Sequence, residues 1–149
     1  MYRYRLYIDR SDYLSSGNGQ SIGQGLFAGL LIPAGTRIIT YKGSILTKDE
    51  YNKKILANGD IEQRGYTLHL TLDTVLADCS KFANDSTCFA SMANSPRNTF
   101  HYKTGKKAKA NSKIVTFASG AYLVSTRSIP RYDEILTPYG VKYKMISMK

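Results

Sequence analysis

The sequence predicts a mostly β domain of several small sheets with one short helical insertion. Three observations carry that reading. Short runs of β-favouring residues recur along the chain, each bounded by clusters of Gly, Ser, Asn or Pro that suit turns. One helix-start signal stands among them, at Thr47-Lys48-Asp49-Glu50. The length of 149 residues, with 42% apolar and 21% charged, suits one compact domain and excludes a disordered or collagen-like chain.

In chain order, residues 2–8 come first and alternate aromatic or apolar side chains with charged ones, the period of a half-exposed strand. A turn-rich stretch with Ser15, Ser16, Gly17, Asn18 and Gly19 comes next, and Gly23-Gln24-Gly25 then leads into Leu26-Phe27-Ala28. Residues 32–36 read as a turn before a strand at 37–41. Thr47 and Glu50 form a capping box, in which hydroxyl and carboxylate satisfy each other's exposed backbone donors, and the helix should run through Tyr51 and Ile55 to a glycine stop at Gly59. Further strands are expected at 66–70, 74–77, 99–103, 113–117 and 121–125. No repeat and no dividing linker interrupts residues 1–149, which read as a single domain.

The charge is unevenly placed. The chain carries 21 Lys+Arg against 11 Asp+Glu, a formal +10, and residues 86–132 supply most of that excess because they hold no Asp or Glu. Lys103, Lys106, Lys107, Lys109 and Lys113 crowd around Thr104-Gly105, as in an exposed turn between two strands. Such a cluster is either a solvated loop or a contact surface for DNA or a nucleosome, where counterion release adds affinity. No run approaches the length of a membrane span, and residues 1–10 lack the apolar centre of a signal peptide, so a nuclear or cytoplasmic protein without membrane contact is expected. Cys79 and Cys88 have neither zinc-site spacing nor disulfide-scaffold density, and read as reduced thiols. His69 and His101 have no cysteine partners at metal spacing, so no metal site is expected and both read as strand residues.

Gly23-x-Gly25 lacks the third glycine and following helix of a dinucleotide fingerprint. It gains meaning from the motifs downstream: Tyr41-Lys42-Gly43, Lys81-Phe82-Ala83-Asn84-Asp85-Ser86, Arg97-Asn98, and Asp133-Glu134-Ile135-Leu136-Thr137-Pro138-Tyr139-Gly140. This ordered series resembles the SET domain family of protein lysine methyltransferases, over nearly the whole chain. The resemblance implies a knot-like fold in which the Asn84 segment threads under a loop near the C-terminus, and S-adenosylmethionine as methyl donor. It implies that Gly23, Gln24 and Gly25 receive the methionine end of the cofactor, that Asn84 bonds its amino acid moiety and Asp85 meets the adenine, and that Tyr139 is catalytic and also borders the cofactor. Tyr66 would share the catalytic work and line a lysine channel with Tyr41 and Tyr143.

Residue chemistry agrees with that assignment. Methyl transfer to an amine needs donor and acceptor aligned and water removed. A narrow aromatic channel favours the neutral lysine by desolvation, and twelve tyrosines with no tryptophan can supply its walls. The chain departs from the family pattern at Asp85, where histidine is usual, at Tyr132-Asp133-Glu134, and at Pro138 before the tyrosine. A second register puts Asn94, in Met92-Ala93-Asn94-Ser95, in the cofactor role; Lys81-Phe82 favours Asn84. The chain has no cysteine after Tyr139, so a zinc-binding segment following the domain is not expected, as in small stand-alone SET proteins of viral or bacterial type. Channel closure then falls to residues 141–149, the substrate or a second subunit, which admits a homodimer. The expected substrate is a lysine on a histone. A ribosomal or other non-histone protein, or a basic binding module without turnover, are the alternatives.

Overall fold

The computed structural model describes residues 3–41, 43–53, 67–70, 73–78, 89, 90 and 92–138. Their strands are β1 (Tyr7–Arg10), β2 (Tyr13–Ser15), β3 (Gln24–Phe27), β4 (Arg37–Thr40), β5 (Gly43–Thr47), β6 (Thr67–His69), β7 (Thr74–Asp78), β8 (Thr99–His101), β9 (Ser112–Phe117), β10 (Gly120–Ser125) and β11 (Glu134–Ile135). The helix α1 spans Lys48–Tyr51. The strands form four small antiparallel sheets, in the orders β1-β3-β11, β4-β10-β9, β2-β8 and β5-β7-β6. The mostly β class with one short helix is therefore as expected, and no helix among the described residues is long and apolar enough to cross a membrane.

Local chemistry explains most elements. In β10 the side chains alternate, with Ala121, Leu123 and Ser125 buried and Tyr122 and Val124 half-buried, the period-2 pattern of a strand with one face on the core. Arg37 on β4 lies over the Tyr122 ring, 4.2 Å from its centroid, and covers that outer face. At α1 the capping box is complete. Glu50 N–H donates to Thr47 Oγ1 at 3.1 Å, and Thr47 N–H donates to Glu50 Oε1 at 3.0 Å. The predicted run to Ile55 and Gly59 falls outside the described residues, as do Cys79 and Cys88.

The N-terminal expectation is corrected. Residues 3–5 form a 3-10 turn, with Tyr4 and Arg5 in the left-handed region at φ 68° and 49°, and the strand begins only at Tyr7. The reason lies in the partner strand. The ladder to β3 ends at the pair Tyr7–Phe27, and beyond it Gly29 N–H donates to Tyr4 O at 3.0 Å. A side chain at Gly29 would collide with the Arg5 carbonyl, so the chain can fold across this point only at a glycine. Leu6 is thereby buried and Tyr4 packs against the core.

One core joins the sheets. Leu26, Ile32, Leu123, Ile129 and Ile135 are fully buried, and Ile32 and Ile129 exchange two backbone hydrogen bonds of 2.9 and 2.8 Å. Ala90 and Ala93 pack into the same cluster, which seats the 89–94 segment beside β11. Burying these aliphatic side chains contributes roughly 1.5 to 3 kcal/mol each.

Candidate active site

β3 is the middle strand of its sheet, with β1 on one edge and β11 on the other. Gly23 precedes it at φ 96°, a conformation open to glycine, and no described residue stands within 4 Å of where a side chain would be. Gly25 is required for the opposite reason. A Cβ there would strike the Glu134 carboxylate and come within 3.2 Å of Asn94 Nδ2.

Glu134 is the centre of this seam. It is 4% exposed, and its carboxylate accepts from Ser11 Oγ at 2.8 and 2.9 Å, from Asp12 N–H at 2.9 Å and from Asn94 Nδ2 at 3.3 Å. Burial pushes its carboxyl above the ordinary range, and the donors from Ser11, Asp12 and Asn94 oppose that shift. Asn94 Nδ2 also donates to Gln24 O at 2.8 Å. Two acceptors thus fix the amide's orientation, and Asn94 Oδ1 takes no donor among the described residues.

Asn94 is held from the other side by β11. It forms a parallel bridge with Leu136, and Thr137 N–H donates to Asn94 O at 2.9 Å. A second asparagine clamps the same segment. Asn111 Nδ2 donates to Glu134 O at 2.9 Å, and Leu136 N–H donates to Asn111 Oδ1 at 2.9 Å. Leu136 O in turn accepts from Ser112 Oγ at 2.8 Å and from the Asn111 and Ser112 amides at 3.1 Å. Thr137 is fully buried, and its hydroxyl has no partner among the described residues.

Of the residues singled out from sequence, Gly23, Gln24 and Gly25 lie together at the start of β3. Tyr41, just past β4, is 8% exposed and belongs to the core cluster with Leu76, Ala90 and Ala93. Asn84, Asp85, Tyr66, Tyr139 and Tyr143 lie outside the described residues. The residue found beside Gln24 is Asn94, from the second register. Sequence reading missed Ser11 and Asn111. Asn111-Ser112 ahead of a β-favouring run resembles an ordinary turn, and only its position opposite residues 134–136 reveals the clamp.

Among the described residues, four small sheets, with a glycine strand, a bridged asparagine and residues 134–137 gathered on one buried carboxylate, define a β-rich class held together by chain crossings. The family model of the SET domain matches residues 23–140, most of the chain, and the chain belongs to the SET domain family. A search of curated proteins found no match. The SET family is one of protein lysine methyltransferases, which in general use S-adenosylmethionine.

Proposed function

We propose that this chain transfers a methyl group from S-adenosylmethionine to a lysine side chain of a protein, with a histone as first substrate. The observation that carries the reading is the Asn94 amide. Its two hydrogens are committed to Gln24 O and Glu134, and its oxygen takes no donor among the described residues, in a segment bonded to the residue that follows Gly23. That is the arrangement an ammonium group needs, an acceptor beside backbone that a ligand can approach closely. Asn94 thus takes the role that sequence reading gave to Asn84.

S-adenosylmethionine supplies an electrophilic methyl group on a sulfonium. The protein's share is to bind, align and dry the site. Gly23, Gln24 and Gly25 offer backbone to the methionine end, while Asp85 remains assigned to the adenine side by the resemblance. Tyr139, catalytic by the resemblance, follows in sequence two residues after Thr137, whose backbone N–H donates to Asn94 O. Tyr66, Tyr41 and Tyr143 are proposed to wall the lysine channel, where desolvation favours the neutral, nucleophilic amine.

Labelled S-adenosylmethionine incubated with core histones and with a ribosomal fraction tests this. Wild type is expected to label a histone, Tyr139→Phe to lose about a hundredfold in rate through misplacement of the reacting groups, and Asn94→Ala to bind the cofactor about tenfold more weakly. Label in the ribosomal fraction alone would keep the reaction and change the substrate. No transfer and no cofactor binding by wild type would overturn the reading.

A further inference from the structure

Part of the acid-free stretch of the chain folds into an ordered hairpin. After β8 the chain turns at residues 102–105, with Gly105 at φ 68°, and returns to bridge Lys107 with Phe100. Gly105 N–H donates to His101 O at 2.8 Å, His101 N–H to Lys106 O at 2.9 Å and Ala108 N–H to Thr99 O at 3.0 Å. His101 Nδ1 accepts from Lys103 N–H at 3.1 Å, closing the tip. A loop that served only as a solvated spacer would not need this many fixed bonds.

Between this hairpin and β11 lies a cavity of 640 Å³. Lys106, Lys107, Lys109 and Arg127 line it, and none of them makes an ion pair with a described residue. Tyr13 and His101 contribute ring surface, edge to face with centroids 5.4 Å apart. Asp12, Asp133 and Glu134 also border the cavity. Asp133 is pushed above the ordinary carboxyl range first by burial and then by Asp12 nearby, against the pull of His101 and Arg127. The Glu134 carboxylate is already committed to Ser11, Asp12 and Asn94, whereas the carboxylates of Asp12 and Asp133 make no side-chain hydrogen bond among the described residues.

Among the described residues, the lining thus combines lysines without an ion pair, ring surface and two carboxylates that accept no side-chain donor. An acidic peptide answers the lysines and is repelled by the carboxylates. A duplex also answers the lysines, but its bases are stacked inside and cannot enter a cavity. We propose that the cavity takes an unpaired nucleotide of single-stranded nucleic acid, with Lys106, Lys107, Lys109 and Arg127 on the flanking phosphates, the base beside Tyr13 and His101, and Asp12 and Asp133 accepting from its amino group. The site shares Glu134 and Asn111 with the seam that holds Asn94, but the proposal rests on no assignment of the cofactor or of the target lysine.

Fluorescence anisotropy of the full chain with labelled 12-residue oligo-dC and oligo-dT tests it, because cytosine carries an exocyclic amino group and thymine does not. Wild type should bind oligo-dC several-fold tighter than oligo-dT, and bind a 12-bp duplex and a polyglutamate peptide more weakly than either. The variant Lys106→Gln/Lys107→Gln/Lys109→Gln should weaken both single strands and lower the slope of log affinity against log salt by about 2. Asp12→Ala/Asp133→Ala should tighten both, since repulsion is removed, and erase the preference for oligo-dC. Equal binding of the two oligomers by wild type would overturn the proposal without recourse to any variant. So would polyglutamate or duplex binding as tight as the single strand, or a lysine variant that binds like wild type.

Discussion

The seam around Glu134 and the hairpin at residues 101–109 are both held by side chains bonded to backbone, yet they are opposite in every other respect. In the seam, Asn94 and Asn111 close contacts between segments far apart in sequence, and the residues involved are mostly buried. In the hairpin, His101 and Thr104 bond to neighbours two or three residues away, and Lys103, Lys106 and Lys107 stand in solvent. Removing a buried partner leaves a polar group stranded without water, whereas removing a solvated charge leaves nothing unsatisfied. Stability should therefore reside in the seam and long-range electrostatics in the hairpin.

The strongest way to break that contrast is Asn111→Ala. It orphans Glu134 O and the Leu136 amide, and should cost about 3 kcal/mol in equilibrium urea unfolding. A loss below about 1 kcal/mol would show that the clamp is dispensable. Next comes Gly25→Ala, whose Cβ meets the Glu134 carboxylate and Asn94. It should cost roughly 2 kcal/mol by overpacking and weaken S-adenosylmethionine binding with it, as isothermal titration would show.

A subtler probe is pH. Burial raises the Glu134 carboxyl, so the folded state holds that proton more tightly than the unfolded chain does. Stability should then fall as pH rises from the ordinary carboxyl range through the raised value, and level off above it. Asp133 shifts in the same direction and contributes less, being exposed. In Glu134→Gln most of the fall should vanish when urea midpoints are compared across that window; a variant that keeps the full wild-type slope would place the titrating group elsewhere. The smallest effect is expected in the hairpin. Lys106→Gln/Lys107→Gln/Lys109→Gln should leave unfolding within about 0.5 kcal/mol of wild type, and a larger loss would mean that the cations support the fold.

What could be read from the sequence divides along the same line. The capping box at Thr47 and Glu50, the turn at Gly35 and the strands at β4, β9 and β10 come from local spacing, and the structure has them. Gly23 and Gly25 stood out because glycine is a local signal. β2 and β11 did not: β11 is two residues long, and Tyr13-Leu14-Ser15 lies against a run of Ser, Gly and Asn that reads as turn, so both are defined by their partners. The same holds for Asn94 and Asn111. Asn94 was reached only as a second register of the family motif and Asn111 reads as a turn asparagine, because their partners are 70 and 25 residues away, at Gln24 and Leu136. The left-handed turn at Tyr4 was illegible for a related reason, since Gly29 dictates it from across the fold.

The bonds between Ser11 and Glu134 span 123 residues. In time, that span is an order of events. The β9–β10 hairpin turns through residues 118 and 119 alone, so it closes a small loop and can form early, while the contacts of residues 134–137 must wait for three distant segments to arrive. In refolding, ligand binding should lag behind the recovery of β signal. During synthesis the seam around Glu134 cannot close until residue 137 has cleared the ribosome.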